Sequence, residues 1–106
     1  MTTVHDLFDQ MPQSFQPSAA AGIDAVIQFA LEGEGGGNWL VTIRDGAVSV
    51  AEGLSASPSL TISATAEDYL AIGTGKLNEQ LAFMTGRIRA RGNTLLAMKL
   101  PKLFRR

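Results

Sequence analysis

The chain has 106 residues, 45% of them apolar and 18% charged, with a formal net charge of −1 and no cysteine. That length predicts one domain with a core of its own, and the lack of cysteine excludes disulfide frameworks, thiolate metal sites and cysteine nucleophiles. The longest uncharged stretches, 10–23 and 53–66, are 14 residues each, short of the roughly 20 apolar residues that a membrane-spanning helix needs.

Val4, Leu7, Phe8, Met11 and Phe15 recur at the spacing of one helix face. Thr3 with Asp6 forms a capping box that starts this helix, Pro12 and Pro17 weaken its far end, and 17–22 reads as a turn. The period then changes to two. Ala25, Ile27, Phe29 and Leu31 share one face of a strand, residues 34–37 turn the chain, and Trp39, Val41 and Ile43 continue the alternation. Asp45-Gly46 predicts a hairpin into Val48 and Val50, and Leu60, Ile62 and Ala64 make a fourth strand.

Helical period returns over 66–73 behind Thr65 and Asp68, and again over 78–85 between an Asn78 cap and a stop at Gly86. Arg87, Ile88, Arg89, Ala90 and Arg91 alternate as a fifth strand. Asn93 caps a last helix, which Pro101 kinks or ends. The expected class is α+β, one sheet of five strands, mostly antiparallel because the first strands follow one another as a meander.

Catalytic material is scarce. His5 is the only histidine and lies beside Asp6 on the polar side of the first helix, where it reads as a surface residue and offers no transition-metal site. The carboxylates are dispersed, and no serine stands in a Gly-x-Ser-x-Gly turn. Gly73-Thr-Gly-Lys76 looks like the end of a phosphate loop, but that motif needs Gly at position 70 and Ser or Thr at 77, and both are leucine. The glycines at 35–37 lie between strands, whereas a dinucleotide loop opens a helix. No catalytic residue, metal or cofactor is predicted.

Charge is unevenly distributed. Residues 1–75 sum to −8 and residues 76–106 to +7. Arg87, Arg89 and Arg91 share a strand face, and Arg105 and Arg106 close the chain. This basic end suits an anionic membrane surface; the plainer reading is that the two halves neutralise each other across the fold. No aromatic residue interleaves the arginines, which argues against nucleic acid. The last quarter is also rich in large apolar residues, among them Leu77, Leu81, Phe83, Met84, Leu95, Leu96, Met98, Leu100, Leu103 and Phe104. A helix apolar over more than half its circumference must be covered on two sides. A ligand cavity, ordinary core and an oligomer contact all satisfy that demand.

Residues 75–86 (Gly-Lys-Leu-Asn-Glu-Gln-Leu-Ala-Phe-Met-Thr-Gly), the basic strand with Gly92-Asn93, and Leu96-Ala-Met-Lys-Leu100 follow one another in a characteristic order. Together with residues 22–29, Trp39, Asp45-Gly46, residues 60–63 and Glu67-Asp68, they resemble the sterol-binding domain of sterol carrier protein type 2 over essentially the whole chain. The resemblance implies a five-stranded sheet with helices packed on one face, enclosing an apolar tunnel. It also implies non-catalytic binding and intracellular transfer of lipids: fatty acids, fatty acyl-CoA, phospholipids or sterol-like molecules.

By the same resemblance Gln80 is the polar group facing the tunnel. Leu81, Phe83, Met84, Leu96, Met98, Leu100 and Leu103 are candidates for its wall. The last helix becomes a lid or membrane-touching element. The chain starts without the basic and apolar run of a secretory signal and ends in Lys-Leu-Phe-Arg-Arg, which is no peroxisomal address. The expectation is therefore a small stand-alone cytoplasmic protein of bacterial type, monomeric or weakly dimeric. An accessory or interaction module of a lipid- or quinone-handling assembly, docking through the apolar C-terminal helix, is the alternative.

Overall fold

Alternating apolar residues assemble five strands into one sheet. The computed structural model describes residues 1–104. Its elements are α1 (Val4–Ser14), a 3-10 turn (Pro17–Ala20), β1 (Ala25–Glu32), β2 (Gly37–Arg44), β3 (Ala47–Glu52), β4 (Leu60–Thr65), α2 (Ala66–Gly73), α3 (Glu79–Met84), β5 (Ile88–Gly92) and α4 (Thr94–Leu103). The strands lie in the order β3-β2-β1-β4-β5, antiparallel throughout except for the parallel pair of β1 with β4. This is the α+β class, with a mixed and mostly antiparallel sheet.

Local chemistry sets the element boundaries. Asp45 and Gly46 both take positive φ, 53° and 75°, between the paired residues Arg44 and Ala47. That is the two-residue turn whose twist matches a hairpin. The Thr3 hydroxyl accepts from the Asp6 N–H at 3.1 Å, and the Asp6 carboxylate accepts in return from the Thr3 N–H at 3.0 Å. The bond from the Thr3 N–H first, and the Thr3 side chain second, hold the Asp6 carboxyl below its ordinary value. The carboxylate half of the capping box is therefore intact at neutral pH and weakens as acid protonates Asp6, while the Thr3 hydroxyl bond does not depend on that charge. Thr65, Asn78 and Asn93 cap α2, α3 and α4 through single side-chain bonds.

The connection from β3 to β4 departs from a meander. Instead of returning beside β3, β4 lies next to β1 and parallel to it. Three strand spacings, about 14 Å, separate β3 from β4, and the seven residues 53–59 can reach about 23 Å. They cross the outer face of the sheet and are tied to it. The Gly53 N–H donates to the Asn38 carbonyl at 3.0 Å, and the Ser59 N–H to the Val26 carbonyl at 2.8 Å.

Between these ties sits Gln28, 5% exposed and the one buried polar residue among those described. Its Oε1 accepts from the Ser55 N–H at 2.8 Å. Its Nε2 donates to the carbonyls of Gly53 (3.0 Å), Trp39 (3.1 Å) and Phe29 (3.3 Å). A single amide thus serves two strands and the crossover, which is why a polar side chain is tolerated there.

The inner face of the sheet carries the apolar set: Ile27, Phe29 and Leu31 from β1, Trp39, Val41 and Ile43 from β2, and Leu60 and Ile62 from β4, all buried. The helices pack against this side. Phe8 of α1, fully buried, lies between two rings. Its centroid is 4.6 Å from Trp39 and 5.3 Å from Tyr69, with planes within 6° and 7° of parallel. Phe29 meets the Phe8 ring edge-on at 5.2 Å.

Replacing Phe8 by alanine should cost about 3–5 kcal/mol, a large share of a small domain's stability, read from urea unfolding followed by circular dichroism. Gln28→Ala should cost about 2 kcal/mol by stranding the Ser55 N–H and three carbonyls. It should also speed hydrogen exchange at Ser55; unchanged exchange there would contradict the anchoring role.

Candidate functional site

Four helices of 11, 8, 6 and 10 residues do not fill the layer above the sheet. They leave a cavity of about 590 Å³, within the roughly 300–1,000 Å³ typical of small-molecule sites. Its floor is sheet: Phe29 of β1, Ile62 of β4 and Ile88 of β5. One wall is α1, through Leu7, Gln10, Met11 and Ser14. Tyr69, Ile72 and Gly73 of α2 form the next, followed by Leu77, Glu79 and Phe83 in and before α3. Ala97, Leu100, Pro101 and Phe104 complete it from α4 and its C-cap.

Helical geometry explains the walls. In α1, Leu7, Met11 and Ser14 follow at i, i+4 and i+7, one flank of the stripe whose other flank, Val4 and Phe8, is buried in the core. Gly73 lets α1 come close, since a Cβ at that position would collide with the Leu7 side chain. In α4 the cavity takes Ala97, Leu100, Pro101 and Phe104, while Leu96 and Leu103, seven apart, are buried in the core. Pro101 lies inside α4 and Pro12 inside α1; lacking an N–H, each leaves one helix carbonyl without its i→i−4 donor. The ends of the two helices are clasped. Phe15 and Phe104 form an isolated antiparallel bridge, their rings are 5.6 Å apart, and the Gln16 N–H donates to the Leu103 carbonyl at 2.8 Å.

Of the residues expected on the wall, Phe83 and Leu100 line the cavity. Leu96 and Leu103 are core. Leu81, Met84 and Met98 point outward, with Met84 82% and Met98 75% exposed. Gln80 is exposed; its neighbour Glu79 is the residue on the lining. The reason is phase: in α3, Glu79 and Phe83 are i and i+4 on one face, so Gln80 and Met84 share the face turned away. Leu7 and Met11 were read only as part of the first helix's apolar stripe, and Tyr69 and Ile72 were not singled out, yet all four line the cavity.

Polar groups elsewhere take simple positions. Arg89 and Arg91 alternate with the inward Ile88 and Ala90 and pair in register with Ser63 and Thr61, so they project from the sheet face opposite the helices. Arg87 is exposed in the turn before β5, and Arg105 and Arg106 lie outside the described residues. His5 is exposed, with Nε2 3.2 Å from Asp9 Oδ2 and Nδ1 3.6 Å from Glu52 Oε1, and its ring meets the edge of Trp39 at 5.3 Å. Among the described residues no group of three or more His, Cys, Asp or Glu could hold a metal. No described helix is long and apolar enough to cross a membrane.

Three comparisons locate this architecture among known proteins. The rat hydroxysteroid dehydrogenase-like protein 2 is 34% identical over 102 residues, which is 95% of this chain but 20% of that protein. The chain thus spans about a fifth of that relative's length. Human sterol carrier protein 2 is 39% identical over 74 residues, 68% of this chain and 14% of that one. Among solved structures, palmitated SCP2L2 from Aedes aegypti superposes with a TM-score of 0.77 at 26% identity, covering 95% of this chain and 93% of that chain. Residues 5–105 match the model of the SCP-2 sterol transfer family, whose domain is a lipid-binding fold, and the chain belongs to that family.

Proposed function

We propose that this chain binds one elongated apolar lipid in the cavity between sheet and helices and carries it between surfaces without chemically changing it. The observation that carries the reading is the cavity of about 590 Å³ with walls made mostly of Leu, Ile, Met and Phe. Such walls recognise length and bulk rather than pattern. Each methylene removed from water contributes about 0.8 kcal/mol, so ten of them offer about 8 kcal/mol before the costs of association. Membership in the sterol transfer family and the palmitated state of the Aedes relative support the same reading. An accessory-module role is not favoured, because membership in the sterol transfer family points to lipid binding or transfer.

Exchange with membranes is the second part of the proposal, set in the cytoplasm. Arg87, Arg89 and Arg91 supply a cationic surface around the β5 edge, which suits anionic headgroups through attraction that salt screens.

Equilibrium dialysis with radiolabelled dodecanol and dodecanoate tests the binding claim. About one equivalent of at least one ligand should be retained, and Ala97→Trp, which fills the cavity, should weaken retention about tenfold while circular dichroism stays native. Failure to retain either ligand would contradict the reading. Cosedimentation with phosphatidylserine-containing vesicles should fall several-fold when Arg89 and Arg91 are both changed to Glu, and also at high salt. Equal sedimentation of both forms would remove the arginines from the mechanism.

A further inference from the structure

We infer that the outer face of α4 is the surface by which this chain touches an anionic lipid bilayer, with Leu95 and Met98 entering the interface and Lys99 and Lys102 reaching the headgroups. The inference rests on reading the chain as a lipid carrier, and it names the face that makes contact during exchange. Large apolar side chains left exposed in the described fold are unevenly placed. Leu81, Phe83, Met84, Leu95 and Met98 lie on α3 and α4, and only Met1 and Leu54 lie elsewhere. On α4 the phase is decisive. At about 100° per residue, Leu95, Met98, Lys99 and Lys102 fall within an arc of about 100°, and all four are exposed. The rest of the helix is occupied: Leu96 and Leu103 face the core, and Ala97, Leu100 and Pro101 the cavity.

That combination fits one occupant. A helix lying in a bilayer interface buries its apolar side chains at the acyl boundary and extends its basic ones to the headgroups. Lysine does so by laying its methylene stem along apolar surface. Anionic lipid supplies the charge complementary to Lys99 and Lys102, and α4 carries no acidic residue to oppose it. A second copy docking by the same face would instead set these lysines against their own counterparts. No other described helix has this character. The exposed residues of α1 are His5, Asp9, Gln10, Pro12 and Gln13, and that of α2 is Glu67. Helix α3 exposes Leu81 and Met84, but its one charge is Glu79. Arg89 and Arg91 add attraction from the outer face of β5, where no apolar side chain of that strand accompanies them. Ala97 and Leu100 lie across α4 from the contact face, so docking sets the cavity about one helix diameter, roughly 10 Å, from the lipid.

The chain has no cysteine, so one introduced cysteine carries one polarity-sensitive fluorophore. With vesicles of phosphatidylserine and phosphatidylcholine, the label on Met98→Cys should brighten several-fold. Labels on Gln13→Cys of α1 and Ser49→Cys on the outer face of β3 should change little. Leu95→Ser with Met98→Ser should lower cosedimentation about tenfold while circular dichroism and dodecanol retention stay native, since neither residue lines the cavity. Lys99→Glu with Lys102→Glu should lower it about as much and reduce its dependence on salt. Brightening at Gln13→Cys or Ser49→Cys instead of Met98→Cys, or unchanged cosedimentation of the serine pair, overturns docking by α4 and leaves lipid binding standing. Brightening of Met98→Cys with protein concentration in the absence of vesicles gives the face to a second copy and overturns it as well. Failure of the unmodified protein to retain either dialysis ligand is the separate result that removes the carrier reading.

Discussion

Everything on the helical side of this molecule depends on where α1 lies, and Phe8 determines that. Its ring lies parallel between Trp39 and Tyr69 and end-on to Phe29, so one side chain joins α1 to β2, to α2 and to the central strand. Parallel and edge-on contacts of this kind contribute about 0.5–1.5 kcal/mol each beyond area burial, and they are directional. With Phe8 seated, Leu7 on one side meets Gly73 and the neighbouring Met11 faces the cavity. The same cluster therefore makes the core and orients the wall. Phe29 and Tyr69 belong to both, touching Phe8 and also lining the cavity.

The opposite side of the cavity is held differently. The end of α4 is attached to the end of α1 by the Phe15–Phe104 bridge and one backbone bond, a much smaller contact than the aromatic cluster. Two prolines interrupt the hydrogen-bonding of these same helices. Packing contacts are thus denser around Phe8 than where α1 and α4 end. For the proposed lipid, dispersion and desolvation along the walls would carry most of the affinity and little direction.

Much of this was legible in the sequence because it depends on local periodicity. Period-two alternation located all five strands, Asp45-Gly46 located the tight hairpin through its positive φ values, and Thr3, Thr65, Asn78 and Asn93 marked helix starts. What was not legible is long-range. That β4 would cross to lie parallel with β1 depends on Gln28 receiving residues 53–59 on the outer face, and nothing local distinguishes Gln28 from any polar strand residue. The wall was read from apolar richness in the last quarter. Richness does not reveal phase: in α4 the sides bearing Leu96, Leu100 and Met98 go respectively to core, cavity and solvent. Gln80 came from the family resemblance instead, and it lies one residue, about 100° around the helix, from the lining Glu79.

The central claim is that lipid occupies the cavity, and the methionines test it from within one sample. Met11 lines the cavity, while Met84 and Met98 are exposed on α3 and α4. With methyl-labelled methionine, NMR titration with dodecanol should shift the Met11 methyl signal saturably at about one equivalent and leave those of Met84 and Met98 almost unmoved. Shifts confined to Met84 and Met98, with Met11 silent, would place the ligand on the outer apolar surface and contradict the account.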